Sequence, residues 1–121
     1  MNKNKKGLNE KIVKIIFKKI AWAVKYLHEK NIVHQDLKLE NILYNQSKNV
    51  VKLIDFGFSS ENPEKKNINY ICGTPHYMSP QAIKKQKHCL YKADIWALGI
   101  ILYKLLTGDY PFRCKLLNNI I

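Results

Sequence analysis

Two carboxylates and one amide, on Asp36, Asp55 and Asn41, are the side chains of this sequence best suited to phosphate chemistry. Carboxylate and amide oxygens suit Mg²⁺, which keeps several waters and takes one or two carboxylates together with the phosphate oxygens of a substrate. Lys38 adds a positive charge that can offset charge on a phosphoryl group during its transfer. A nearby cation weakens Asp36 as a base, which this reaction tolerates because positioning matters more than base strength.

A predicted hairpin brings these groups together. Strands are expected at Ile42–Tyr44 and Val50–Ile54, joined by the turn-rich segment 45–49. Folding the chain about that turn returns Asp55 to the neighbourhood of Asn41. The stretch 33–43 also has a second interpretation, as a half-buried strand with one solvated face. Its charged residues alternate with leucines; they are Asp36, Lys38 and Glu40.

Two helices are predicted to flank these elements. Residues 9–29 form an amphipathic pattern with Asn9 as N-cap. The apolar positions of that pattern are Ile12, Ile16, Ile20, Ala23 and Leu27. Its lysines also fit a helix lying on a membrane surface, but core packing is the commoner use of such a helix. Residues 93–108 are apolar nearly all round and stop at Gly108 before Pro111, which predicts a buried helix. The long segment 57–80 has little periodicity and predicts a functional loop.

Composition limits the function classes. The chain has 121 residues, of which 46% are hydrophobic and 25% charged, as in an ordinary globular protein. No apolar run is long enough for a membrane span. The net charge of +12 comes almost wholly from lysine, with Arg113 the only arginine, which argues against specific nucleic-acid recognition. Three cysteines without metal-ligand spacing favour free thiols, so we expect a cytosolic or nuclear protein.

Four ordered motifs resemble the protein kinase family. They are HQDLKLEN at 34–41, DFG at 55–57, GTPHYMSPQ at 73–81 and DIWALGIILYKLLTGDYPF at 94–112. The resemblance implies an α+β, protein-kinase-like fold: a mainly α-helical C-lobe fragment with a short β-hairpin next to the catalytic loop. It also implies a basic lead-in at 1–8 and a partial kinase domain at 9–121. That domain holds the catalytic loop at 34–41, the activation segment at 55–81 and the buried helix at 93–108.

The resemblance also implies residue roles. Asp36 matches the aspartate that accepts and orients the substrate hydroxyl, and Lys38 matches the lysine that contacts the γ-phosphate, in the position typical of Ser/Thr kinases. Asn41 and Asp55 match the metal ligands. The residues expected to bind the cofactors ATP and Mg²⁺ are Lys38, Glu40, Asn41, Leu43 and Asp55. Glu40 also resembles an acid that can meet a basic substrate residue, although Lys104 lies where some relatives carry glutamate.

Further residues resemble the supporting parts of the family's site. His34 and Phe56 resemble two members of an apolar stack held by Asp94, and Ile101 and Leu105 resemble a second stack under Leu43. Thr74 matches the threonine that contacts the catalytic loop in Ser/Thr kinases.

The sequence departs from the family pattern at named positions. Gln35 replaces the arginine that pairs with a phosphorylated loop residue. Tyr70 stands where many relatives carry the phosphorylated threonine, so we expect that loop phosphorylation is not the main switch. Gln81 replaces the glutamate of A-P-E, which bears on the anchor of the loop. No glycine-rich loop and no V-A-I-K lysine occur before Asn9, so a full-length product is expected to supply the N-lobe.

The sequence therefore predicts part of a protein serine/threonine kinase that transfers the γ-phosphoryl group of MgATP to Ser/Thr hydroxyls of protein substrates. The segment alone is expected to be inactive. The alternative is a non-catalytic pseudokinase or lobe fragment that acts as a protein-interaction module. A basic nucleic-acid binder is a further rival, which salt-insensitive binding would exclude.

Overall fold

The computed structural model describes residues 6–63 and 73–112. Helix α1 spans Glu10–Glu29, α2 spans Pro80–Ile83 and α3 spans Leu90–Thr107. The strands are β1, Ile32–Val33; β2, Ile42–Asn45; β3, Val50–Leu53; and β4, Ser60–Glu61. Short 3₁₀ turns cover Leu39–Asn41 and Pro75–Tyr77. The α+β fold class expected from the sequence is confirmed.

The strands form two antiparallel pairs. In the predicted hairpin, β2 pairs with β3, with Ile42 opposite Leu53 and Asn45 opposite Val50. In the second pair, β1 lies against β4 with Val33 opposite Ser60. The stretch 34–38 between β1 and the first 3₁₀ turn is not a strand, so the interpretation of 33–43 as a half-buried charged strand is wrong.

Helix α1 begins as predicted, but it buries a different face. The side chain of Asn9 accepts a hydrogen bond from the backbone N of Lys11 at 2.8 Å, the interaction expected of an N-cap. The buried side chains are Val13, Ile16, Ile20 and Val24, whereas Ile12 is 44% exposed. Only Ile16 and Ile20 of the predicted stripe are buried, because apolar residues occupy adjacent helical positions and packing against α3 and β3 selects among them.

Helix α3 begins three residues earlier than predicted and ends at the predicted glycine. Gly108 has φ 77°, a left-handed conformation that glycine adopts without strain, and its N donates to the carbonyl of Lys104 at 2.8 Å. Its buried face includes Ile101 and joins α1 in one core cluster. The opposite face is exposed within the described part of the chain, with Ile95 at 55%, so the helix is not buried all round.

Three further observations concern the predicted architecture. The backbone N of Leu8 donates to the carbonyl of Leu105 at 2.8 Å, so the end of the predicted basic lead-in contacts α3. Among the described residues, no helix has the length and apolar character needed to cross a membrane. Tyr70, Cys72 and Arg113 lie outside the described residues.

Candidate active site

Asp36 is buried and its carboxylate is fixed from two sides. Its side chain lies between β1 and the 3₁₀ turn and is 6% exposed. The hydroxyl of Thr74 donates to Oδ1 at 3.3 Å, and the Nδ2 of Asn41 donates to Oδ2 at 3.2 Å. The same Nδ2 also donates to the main-chain oxygen of Asp36 at 2.8 Å. The carboxylate is therefore held in one orientation before any substrate arrives.

Lys38 lies beside that carboxylate and is positioned by the same threonine. Its Nζ donates to Oγ1 of Thr74 at 2.9 Å and lies 3.8 Å from Oδ2 of Asp36. Thr74 thus accepts from the ammonium group and donates to the carboxylate. Thr74 therefore orients a carboxylate and an ammonium group together. Its contact with the catalytic loop, which the resemblance implied, is present.

Asp94 of α3 holds the backbone that leads into Asp36. Its carboxylate is 2% exposed and accepts from the backbone N of His34 at 2.9 Å and of Gln35 at 3.0 Å. Gln35 has φ 67°, a left-handed conformation that is uncommon for a residue with a side chain. The two hydrogen bonds from a rigid helix support this strained turn, and they aim the next residue, Asp36, into the site.

His34 is a structural residue, as predicted. Its Nε2 lies 2.9 Å from the carbonyl of Ile54, and its Nδ1 lies 3.1 Å from the backbone N of Asp36. A neutral imidazole with its proton on Nε2 satisfies both contacts, donating to the carbonyl and accepting from the amide. The ring centroid lies 4.8 Å from that of Phe56. The predicted contact of His34 with Phe56 is therefore present, and Asp94 holds it through the backbone N of His34.

The hairpin brings Asp55 back to the catalytic loop. The backbone N of Ile54 donates to the carbonyl of Asn41 at 2.9 Å, which ties the end of β3 to the catalytic loop as the predicted hairpin requires. Asp55 has φ 57° and is exposed, and its Oδ1 accepts from the backbone N of Gly57 at 3.3 Å. The backbone therefore brings Asp55 to the loop, while its carboxylate stays accessible to solvent.

The chemistry of these donors fits Mg²⁺. The Nδ2 of Asn41 is committed to Asp36, so the amide oxygen is the atom available to a cation. The described residues contain no group of three or more His, Cys, Asp or Glu side chains that could hold a metal. A magnesium ion bound to phosphates does not need such a group, because water and phosphate oxygens complete its six ligands.

The remaining predicted nucleotide-binding residues lie on open surfaces. Leu43 is 53% exposed on β2 and stands opposite Lys52. Ile101 and Leu105, expected to support it, lie in the buried core cluster. The side chain of Glu40 is 58% exposed, and its Oε1 lies 3.8 Å from Nζ of Lys104. The nucleotide roles of Leu43 and Glu40 stay predictions.

Gly73 permits the close approach of the segment that carries Thr74. It has φ 97°, and a Cβ at this position would lie 2.9 Å from the carbonyl oxygen of Gln35. A larger residue would push this segment away from the catalytic loop, which explains on steric grounds why a glycine precedes Thr74.

Two groups in and around the site were not found from the sequence. His28, near the end of α1, places its Nε2 2.9 Å from Oδ2 of Asp94 and is a third partner of that carboxylate. Tyr77 accepts from the backbone N of Leu39 at 3.4 Å through its hydroxyl. Burial, more than its contact with the hydroxyl of Tyr110, raises the pKa of Tyr77 above its usual value. No local signal links these residues to partners 38 and 66 positions away.

The structure places a buried aspartate beside a lysine, bonds an amide to that aspartate, and brings an exposed aspartate back to the same loop. These side chains are of the types that a phosphoryl-transfer site uses. A family model described as "Protein kinase domain" matches residues 1–120 of the chain. The chain therefore belongs to the protein kinase family.

Named relatives agree with this family. The chain is 42% identical over 113 residues to the serine/threonine-protein kinase kin-29 of Caenorhabditis briggsae, covering 93% of this chain and 14% of the relative. It is 38% identical over 111 residues to the SNF-related serine/threonine-protein kinase of Homo sapiens, covering 92% of this chain and 14% of the relative. A protein kinase domain-containing protein of Schizosaccharomyces pombe, ppk9, is 40% identical over 114 residues, covering 94% of this chain and 21% of its own length. The chain thus spans about a fifth or less of these relatives.

Proposed function

We propose that this chain is part of a longer protein serine/threonine kinase, which transfers the γ-phosphoryl group of MgATP to Ser/Thr hydroxyls of proteins. The observation that carries the proposal is the orientation of the Asp36 carboxylate by Thr74 and Asn41, with Lys38 3.8 Å away. Such an arrangement suits a reaction in which positioning and charge stabilisation matter more than base strength. We also infer a cytosolic or nuclear location from the cysteine pattern.

In this proposal each described residue has one task. Asp36 accepts the hydrogen bond of the substrate hydroxyl and aims its oxygen at the phosphorus. Lys38 offsets negative charge on the phosphoryl group as it moves. Asn41 and Asp55 would hold Mg²⁺, which supplies positive charge next to the phosphate oxygens when it is bound. Leu43 offers an exposed apolar surface for the adenine ring.

The named relatives support the serine/threonine class, since two of those reported above are named serine/threonine-protein kinases. The contact between Lys38 and Thr74 agrees with this assignment, because the family resemblance places both residues at positions typical of Ser/Thr kinases.

The test is transfer of a labelled phosphoryl group from MgATP to a generic protein substrate. The 121-residue chain and a version extended upstream to the glycine-rich loop would each be compared with an Asp55→Ala control. The proposal expects activity in the extended protein alone and its loss in the control. An extended protein that is folded but transfers no phosphoryl group would favour the alternative, a non-catalytic module for protein interaction.

A further inference from the structure

A charged and aromatic cluster lies directly beside the catalytic loop. Glu40 belongs to the 3₁₀ turn Leu39–Asn41, four residues after Asp36. The backbone N of Leu39 donates to the hydroxyl of Tyr77, which stands three residues after Thr74. The cluster, defined as Glu40, Tyr77, Lys104 and Tyr110, is therefore attached to both segments that fix the Asp36 carboxylate.

The ammonium group of Lys104 is fixed within this cluster. Its Nζ donates to the hydroxyl of Tyr110 at 2.7 Å and lies 4.0 Å from the centroid of that ring. It also lies 6.0 Å from the centroid of the Tyr77 ring. The aromatic faces and the hydroxyl restrict this cation to one place, so its charge acts at a defined point of the surface.

That point lies next to the carboxylate of Glu40. The two groups are 3.8 Å apart, with the side chain of Glu40 58% exposed and that of Lys104 20% exposed. Without Lys104, Glu40 would present a negative charge to a bound peptide. With Lys104 in place the pair is close to neutral, and an approaching lysine or arginine meets a like charge.

The length of a bound peptide decides whether it can reach this cluster. A peptide whose hydroxyl reaches Asp36 extends by about 3.3 to 3.6 Å for each further residue, so residues within a few positions of the hydroxyl lie in reach of the cluster. The chain as a whole carries a net charge of +12, which also disfavours basic peptides over long distances at low salt.

We propose that Lys104 is a specificity-determining residue that selects against a basic residue close to the phosphorylated hydroxyl, so that preferred substrates are uncharged or acidic there. This inference rests on the proposed kinase function and adds the chemical class of its substrates. Lys104 acts by neutralising Glu40 and by repelling cations, and it takes no part in the transfer step.

The experiment measures kcat/KM with a positional set of serine peptides in the extended protein. Arginine, alanine or glutamate stands in turn at each of about four positions on either side of the serine, the reach set by the length of an extended chain. The expected wild-type result is a glutamate-to-arginine ratio above one at the position that responds to residue 104. Lys104→Glu is expected to change that ratio in favour of arginine by about tenfold, from removal and reversal of one partly exposed charge.

Three variants control for loss of folding and for net charge. Lys104→Met keeps the aliphatic packing over Tyr110 without the charge and is expected to move the ratio part of the way. Lys104→Arg keeps the positive charge and is therefore expected to keep the wild-type ratio. Lys18→Glu makes the same change of net charge on the exposed surface of α1 and is expected to leave the ratio unchanged.

Two results would overturn the inference: a wild-type preference for arginine at the responsive position, or ratios for Lys104→Glu and Lys104→Met equal to the wild-type ratio. If no peptide is phosphorylated, the proposed kinase function fails separately. Fluorescence anisotropy with the same labelled peptides then decides the inference. Kd values that change in favour of the arginine peptides in Lys104→Glu support the inference, and unchanged Kd values reject it.

Discussion

The catalytic-loop side and the hairpin side of the site are held in different ways. On the catalytic-loop side, Asp36 is 6% exposed and accepts side-chain hydrogen bonds from two residues. On the hairpin side, Asp55 is exposed and its carboxylate accepts from the nearby backbone N of Gly57. The contrast matches the two tasks proposed for these residues. A group that is to orient a hydroxyl must be rigid, whereas a metal ligand must stay accessible to the ion and its phosphates.

The largest expected change in stability comes from removing the support of the rigid side. Asp94→Ala would leave the backbone N–H groups of His34 and Gln35, together with His28, without their acceptor in a buried region. We expect the free energy of unfolding of the extended protein to fall by about 3 kcal/mol or more. Denaturant unfolding would measure the loss.

The exposed carboxylate of Glu61 offers a matched control. Glu61→Ala is expected to change the free energy of unfolding by less than about 0.5 kcal/mol. Equal effects of the two substitutions would show that Asp94 is not the anchor of the catalytic loop.

A smaller effect is expected at the glycine that lets the two segments meet. Gly73→Ala places a Cβ 2.9 Å from the carbonyl of Gln35 at φ 97°, so we expect a loss of roughly 1 to 3 kcal/mol and a slower transfer step. Gly99→Ala is the opposite case, because its Cβ meets no described atom within 4 Å and α3 gains up to about 1 kcal/mol. Thermal melts of both variants would measure these two opposite changes in stability. A stabilising Gly73→Ala would contradict the close approach of the segments.

The smallest effect is a pH dependence. Burial raises the pKa of Tyr77 above 10.0 in the folded protein, so the folded state keeps the phenol proton where the unfolded state releases it. This contribution to stability is complete below about pH 10, the pKa of an unfolded tyrosine, and is lost as the pH rises above it. The free energy of unfolding should therefore fall less in Tyr77→Phe than in the wild type. Urea titrations at about pH 9 and about pH 11 would compare them. Equal decreases in the free energy of unfolding of the two proteins would show that the pKa of Tyr77 is not raised.

Features set by neighbouring residues were predictable from the sequence. The cap at Asn9, the stop at Gly108 and the hairpin that ties the end of β3 to Asn41 follow from local chemistry or from a short turn. The fixed spacing of the kinase motifs identified Asp36, Lys38 and Thr74, which the structure brings into contact.

Features set by distant residues were not predictable. The buried face of α1 depends on which of two adjacent apolar stripes packs on α3. Val13 is buried there, whereas Ile12, which was predicted to be buried, is exposed. The contact of His28 with Asp94 joins residues 66 positions apart, and no pattern in either segment indicates it. The left-handed conformation of Gln35 also depends on Asp94, because nothing in its own side chain favours it.

The most direct test of the difference between the two sides is the Mg²⁺ dependence of phosphoryl transfer in the extended protein. Asp55→Asn should raise the Mg²⁺ concentration for half-maximal rate by about tenfold or more, because it weakens a metal ligand. Asp36→Asn should lower the maximal rate by about 10² to 10⁴ at every Mg²⁺ concentration and leave the midpoint unchanged. If both variants shift the midpoint alike, or if Asp36→Asn retains the wild-type rate, the assignment of orientation to Asp36 and of metal binding to Asp55 is wrong.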